Sequence, residues 1–349
     1  MELLIYLILF LLVLIVSSTT NKLLPFLPLP LVQILLGIVI GLFLPNTDFH
    51  LNTELFLALV IGPLLFRESE EADITAILKH WRIIVYLIFP VIFISTLSLG
   101  GLAHLLWLSL PLAACLAVGA ALGPTDLVAF ASLSERFSFP KRVSNILKGE
   151  GLLNDASGLV AFQVALTAWT TGAFSLGQAS SSLIFSILGG FLIGVLTAMT
   201  NRFLHSFLLS VRATDIASEL LLELSLPLVT FFLAEEVHVS GIIAVVVAGI
   251  LKASRFKKIT LLEAQVDTVT ETVWHTVNFM LNGSVFVILG MELEMIAEPI
   301  LTNPIYNPLL LLVSIIALTF VLFAIRFVMI YGYYAYRTCL LYTSPSPRD

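Results

Sequence analysis

An all-α, polytopic integral membrane protein is what this sequence predicts, and three observations carry that expectation. Of its 349 residues, 59% are hydrophobic and only 11% are charged, and the mean hydropathy is +1.05. Mostly apolar stretches of roughly 17 to 25 residues recur from end to end, each long enough to cross about 30 Å of hydrocarbon as a helix. Backbone groups in lipid find no water, so the spans must be helices that satisfy those groups internally. The same figures exclude a soluble domain. Nucleic-acid binding has no support, and the net charge of −6 says little about partners when most of the surface faces the lipid bilayer.

Taken in order, the apolar runs place eleven spans at about 2–16, 28–45, 53–67, 82–102, 106–134, 143–170, 180–201, 215–234, 238–252, 270–291 and 306–336. The first carries Glu2, lacks a basic flank and is followed by no Ala-x-Ala site, so it is a retained helix rather than a cleaved signal. Basic residues fall in every second connection: Lys22; Arg67, Lys79 and Arg82; Arg136, Lys141, Arg142 and Lys148; Arg202 and Arg212; Lys252, Arg255, Lys257 and Lys258; Arg337 and Arg348. Such alternation assigns those connections to the cytoplasm and the N-terminus to the outside. It also supports the span count, because a miscounted helix would put later connections out of phase. The seventeenth basic residue, Arg326, stands inside the last span. Two cysteines, Cys115 and Cys339, exclude a disulfide framework and a cysteine metal site.

Chemistry concentrates in the fifth and sixth spans. Asp126 follows Gly123-Pro124-Thr125, and Asp155 ends Gly149-Glu-Gly-Leu-Leu-Asn-Asp155, both inside apolar surroundings where a carboxylate costs about 2.5 to 3.5 kcal/mol or more. Pro124 frees a backbone carbonyl that no helical donor reaches, and with Gly119 and Gly123 it predicts a broken fifth helix. Interrupted helices in secondary transporters place carbonyls and helix ends around an ion; without an acid beside it, the same feature would be a simple proline kink. Gly149, Gly151 and Gly158 predict a second interruption, around Asn154. Two carboxylates sharing a dry site attract protons as well as cations, and oxygen-only ligands suit a hard alkali cation such as Na⁺. Loading one then displaces the other.

Glu150 lies five residues before Asp155, about 140° round a helix, so it needs a different partner. Arg326 is the basic residue at comparable depth, and a buried ion pair between them is expected, against a Glu150 at a helix end meeting Lys148 or water. Glu68, Glu70, Glu71 and Asp73 form either a cation-gathering funnel on the cytoplasmic side or a solvated acidic loop. Glu219 and Glu223 share a helix face, for a functional role or as surface or interface groups. Gly37-x-x-x-Gly41 and Gly190-x-x-x-Gly194 read as close helix contacts. Nucleotide-binding, zinc-protease and serine-triad signatures are missing, so the expectation is not an enzyme and no cofactor beyond the transported ions.

Together with Gly62-Pro-Leu-Leu-Phe66, Ala234-Glu-Glu-Val-His-Val-Ser-Gly241 and Asn282-Gly-Ser-Val-Phe-Val-Ile-Leu-Gly290, these motifs make the chain resemble bacterial sodium/proton antiporters of the monovalent cation/proton antiporter family 1. The likeness runs over residues 1–338 as one exchanger domain. It implies an inverted-repeat fold of thirteen helices, of which about eleven are present, in a homodimer in a bacterial inner membrane. A core bundle (79–170 and 306–338) then moves against a dimerisation bundle (1–78 and 180–291). Asp126 and Asp155 match the family's Na⁺- and proton-binding aspartates, and Thr125 matches a coordinating residue. Asn154 matches the asparagine that accompanies electroneutral exchange, Glu150 and Arg326 match a buried ion pair, and Glu68 matches an acid near the ion. Where relatives have Gly-Glu-Ser this chain has Gly-Glu-Gly, so Gly151 offers the ion no hydroxyl. The expected function is exchange of Na⁺ or another monovalent cation for H⁺, serving sodium and pH homeostasis. A cation channel and an inactive antiporter fragment are the rivals. Residues 339–349 read as a short polar tail that begins no new span, which suggests a truncated or misassembled reading frame.

Overall fold

The computed structural model describes residues 2–24, 26–43, 52–125, 137–171, 176–211, 215–253, 261–302 and 308–343. Among these residues every regular element is helical: α1 (Glu2–Leu23), α2 (Leu29–Phe43), α3 (Thr53–Phe56), α4 (Gly62–Glu71), α5 (Ile74–Lys79), α6 (Trp81–Tyr86), α7 (Ile92–Leu106), α8 (Leu112–Leu122), α9 (Lys141–Thr171), α10 (Leu176–Ser210), α11 (Ile216–Glu236), α12 (Gly241–Ala253), α13 (Leu261–Thr302) and α14 (Pro308–Thr343). Among them, five stretches are both long and apolar enough to cross a membrane: Trp81–Leu106, Phe185–Ser210, Ile216–Glu236, Thr268–Leu293 and Pro308–Tyr336. Shorter apolar helices accompany them, Leu29–Phe43 and Gly241–Ala253 among others.

Two π turns, Leu57–Ile61 and Leu87–Val91, join α3 to α4 and α6 to α7. Each sits at a proline. Pro63 stands in the first turn of α4, and Pro90 lies within the second π turn. A residue without an N–H cannot close the i→i−4 ladder, and a wider turn absorbs the mismatch.

The chain divides into two compact units. In the first (Met1–Leu78, Asp126–Lys148, Ser180–Asn303), α12 is the central helix, with Ile242, Ala244, Val245, Val246 and Ala248 all buried. It lies against α4, and a Cβ on Gly249 would meet Ser69 Cβ at 2.7 Å. Gly190 and Gly194 bring α10 onto the carbonyls of Ser240 and Ala244. A close crossing joins α2 and α13: a Cβ on Gly37 would strike the Val287 carbonyl, and one on Gly290 the Ile34 carbonyl. Gln33 faces Gly283 one turn earlier, so these two helices run in the same direction.

A sharp corner links α11 to α12. His238 adopts a left-handed conformation (φ 58°), its N–H donating to Glu235 O (2.9 Å) and that of Val239 to Ala234 O (3.0 Å). This is the doubly bonded helix end that glycine ordinarily supplies. Glu235 Oε1 then accepts from Gly241 N–H at 3.2 Å, an anion at the start of α12 where the helix dipole favours it. At the other end of α11, Asp215 caps the helix by accepting from Ser218 N–H (2.9 Å). Its hydrogen bonds from Ser218, side chain first, hold its carboxyl below the ordinary aspartate range.

The second unit (Lys79–Thr125, Gly149–Ala179, Pro304–Asp349) packs α7, α8 and α14 around Leu99, Ala103, Cys115 and Leu318. The α7–α8 crossing is equally close, a Cβ on Gly119 lying 2.8 Å from Gly100 N. Tyr86 donates to the Met329 carbonyl (3.2 Å) and sits 4.8 Å from the Tyr333 ring, fixing α6 to α14.

Three expectations change. The sixth span is one continuous helix, α9, with no interruption at Asn154. Its glycine at 158 serves contact instead: a Cβ there would strike the Pro124 ring. Arg67 and Lys252 lie within α4 and α12, half-buried and paired rather than in loops. Finally, α14 continues through Thr343, so residues 339–343 extend the last helix, and residues 344–349 fall outside the described part.

Candidate functional site

Helix α8 stops at Leu122 with Gly123 as its C-cap, and Pro124 and Thr125 follow outside the helix. The helix end leaves its terminal carbonyls open, and these carry its negative dipole end. Arg326 of α14 answers it, donating from Nη2 to Gly123 O at 2.6 Å. Its other arm, Nη1, lies 3.3 Å from Glu150 Oε1.

Glu150 is only 2% exposed. Its Oε1 also accepts from Thr125 Oγ1 (3.1 Å) and from Asn154 Nδ2 (3.5 Å). Asn154, fully buried one turn along α9, donates from the same nitrogen to Thr125 Oγ1 at 2.8 Å. The structure therefore brings Thr125, Glu150, Asn154 and Arg326 into one hydrogen-bonded group, with a charge-assisted pair at its centre. A buried carboxylate is tolerated when its charge is opposed and hydrogen bonds reach it; here Arg326 opposes the charge, and three donors converge on Oε1. Gly151, buried on α9, stands three residues before Asn154 on the same helical face.

Asp126 lies outside the described residues. Asp155 belongs to α9, and its side chain also lies outside the described part. Glu68 and Glu70 are in α4, so this acidic stretch is a helix and not a loop. Glu70 is engaged rather than open: Arg67 Nη1 lies 3.0 Å from one oxygen and Lys252 Nζ 3.1 Å from the other. Asp73, beyond the helix, caps α5 through Ala76 N–H (3.0 Å). The Thr75 hydroxyl, then the Ala76 N–H, hold its carboxyl below the usual range.

Sequence spacing did not reveal what surrounds Glu70. Lys252 also reaches Glu223 (2.8 Å), which accepts from Trp274 Nε1 (2.9 Å). Arg67 stands 5.8 Å over the Trp274 ring and 2.7 Å from Glu71. Lys252 Nζ makes no well-aligned hydrogen bond despite these short distances, so charge rather than direction holds it. The network joins α4, α11, α12 and α13. Residues on four helices far apart in sequence leave no periodic signal, although two half-buried bases beside apolar runs were a hint. Glu219, one turn before Glu223, lies 3.2 Å from His205 Nε2. Among the described residues no group of three or more His, Cys, Asp or Glu is arranged to hold a metal.

Among the described residues every regular element is helical, and the end of α8 is met by an arginine–glutamate pair whose carboxylate is buried. The chain belongs to the sodium/hydrogen exchanger family, whose transmembrane region it matches over residues 7–338. It is 37% identical over 315 residues to the sodium, potassium, lithium and rubidium/H(+) antiporter of Bacillus subtilis (strain 168), covering 90% of this chain and 47% of that one. Against the protein of the same name in Bacillus pumilus (strain SAFR-032), identity is 37% over 330 residues, covering 94% and 49%. The chain thus spans about half the length of the curated relatives it matches. Its fold is similar to that of the sodium proton antiporter MjNhaP1 from Methanocaldococcus jannaschii, solved at pH 8, with a TM-score of 0.65 at 21% identity over 83% of this chain and 71% of that one.

Proposed function

We propose that this chain is the ion-translocating region of an antiporter that exchanges a monovalent alkali cation for H⁺ by alternating access. The observation that carries the reading is the hydrogen-bonded Thr125–Glu150–Asn154–Arg326 group at the end of α8, in which Glu150 and Asn154 are buried, found in a chain of the sodium/hydrogen exchanger family. Asp126 follows Thr125 directly and Asp155 follows Asn154 directly, so both aspartates adjoin this group in sequence. Cation and proton occupy Asp126 and Asp155 in turn, Na⁺ being the reference ion, and Thr125 contributes an oxygen.

Within this reading, Glu150 and Arg326 balance each other's charge and hold the unwound strand, while Asn154 fixes Thr125. With that pair neutral, one proton released for one cation bound makes the exchange electroneutral. Residues 79–170 and 306–338 form the core bundle and residues 1–78 and 180–291 the dimerisation bundle of a homodimer. The setting is a bacterial inner membrane with the N-terminus outside, and the activity serves sodium and pH homeostasis. Exchange is favoured over a channel because the Bacillus relatives are named antiporters and no repeated carbonyl filter is present in the sequence.

The test is cation-dependent proton flux in everted vesicles carrying the full-length protein. Asp155→Ala and Asp126→Ala are each expected to abolish it. Flux at the wild-type level in Asp155→Ala overturns the assignment.

A further inference from the structure

Donors and acceptors in the Thr125–Glu150–Asn154–Arg326 group do not balance. The Glu150 carboxylate only accepts, and it takes hydrogen bonds from Thr125 Oγ1, Arg326 Nη1 and Asn154 Nδ2. The Thr125 hydroxyl proton is committed to Glu150, so its oxygen accepts from Asn154 Nδ2 at 2.8 Å. These two acceptors decide which end of the Asn154 amide is nitrogen, because the reverse orientation would set oxygen against a carboxylate. The amide oxygen is therefore turned away from the group. It is buried on a fully buried side chain, and no donor among the described residues reaches it. Gly151, one turn earlier on the same face of α9, has no side chain with which to supply one.

Buried carbonyl oxygens are rarely left without a partner. Here the group's donors are turned on its own acceptors, and the spare capacity is a hard, neutral oxygen. That capacity suits a cation.

We propose that Asn154 Oδ1 is a direct ligand of the transported alkali cation, an inference that rests on the exchange reading above. Carboxylates bind protons and alkali ions alike. An amide oxygen coordinates hard cations yet takes no proton at physiological pH. Asn154 thus contributes to the cation-loaded state and not to the protonated one. It sets apparent cation affinity and the order of preference among alkali ions, while leaving the proton side of the cycle to the aspartates.

The experiment uses full-length protein. Everted vesicles give the apparent KM for Na⁺, K⁺, Li⁺ and Rb⁺ and the pH midpoint of exchange. The purified protein gives the gain in thermal stability on replacing choline chloride by each alkali chloride. Asn154→Ala is expected to raise the apparent KM by about tenfold or more, abolish the cation-induced thermal gain and leave in place the pH midpoint extrapolated to zero cation. Gly151→Ser, which adds a hydroxyl one turn before Asn154 on α9, is expected to change the order of preference, and it supplies the answer if Asn154→Ala does not accumulate. A purely structural Asn154 predicts a lower baseline melting temperature with the cation-induced gain and KM retained, and that result overturns the proposal. An unchanged preference order in Gly151→Ser does the same. If the wild-type protein shows neither exchange nor a cation-induced gain, the exchange reading itself fails and this inference falls with it; wild-type exchange beside an unaltered Asn154→Ala KM sinks the inference alone.

Discussion

Replacing Arg326 by methionine isolates the charge at the centre of the site. Methionine keeps the apolar stem but removes both arms, the one 3.3 Å from Glu150 Oε1 and the one 2.6 Å from Gly123 O. Glu150, 2% exposed, would then keep only the neutral donors of Thr125 and Asn154. Breaking a buried pair by deleting one partner costs about 3 to 5 kcal/mol, and the loss of the charged cap on α8 places Arg326→Met toward the upper half of that range. Glu150→Gln strands the guanidinium instead but retains an oxygen for Thr125 and Asn154, so its cost is expected to be smaller, about 1.5 to 3 kcal/mol. The double variant leaves no stranded charge. Its loss is expected to fall short of the summed single losses by about 1 to 3 kcal/mol. Equilibrium unfolding of the purified protein by SDS in mixed micelles, followed by tryptophan fluorescence, gives all four corners of the cycle. Additivity within about 0.5 kcal/mol would show that the two side chains do not act as a pair and would refute this reasoning.

Two further outcomes concern packing and backbone in the first unit. Gly37→Val is expected to push α2 away from the Val287 carbonyl of α13 and to destabilise the protein by about 1 to 3 kcal/mol or more; an unchanged melting temperature in detergent contradicts the close crossing. His238→Gly keeps the hydrogen bonds of the α11 corner and removes the side-chain penalty of φ 58°, so stability is expected to rise by about 1 kcal/mol, and a fall in melting temperature argues against it.

The helical class was legible because hydropathy and backbone saturation in lipid leave few alternatives. The end of α8 was legible too, since Pro124 removes a donor that a helix requires. The same logic failed in α9. Gly149, Gly151 and Gly158 permit unwinding but do not demand it, and Gly158 is small because Pro124 lies against it. Arg67 and Lys252 read as loop charges because a tally by connection cannot register that their heads lie against carboxylates and the rings of Trp274 and Phe66. The tail was misjudged at its start: Cys339-Leu-Leu-Tyr-Thr343 is apolar enough to prolong α14, and the polar run begins only at Ser344. Arg326 and Glu150, 176 residues apart, were linked by scarcity, one deep cation and one deep anion lacking another partner. The Gly123 carbonyl between them left no trace in the sequence, since every residue carries one.

The wide turn at Leu57–Ile61 sets the rotational phase of α4. Each residue added to or removed from a helix rotates everything downstream by about 100°. Deleting a single residue from that stretch would let an ordinary α-helix run through from Thr53, and it would swing Arg67, Phe66 and Glu70 off the faces of Lys252 and Trp274. An irregularity of one residue near the start of the span thus decides which side chains meet at its far end.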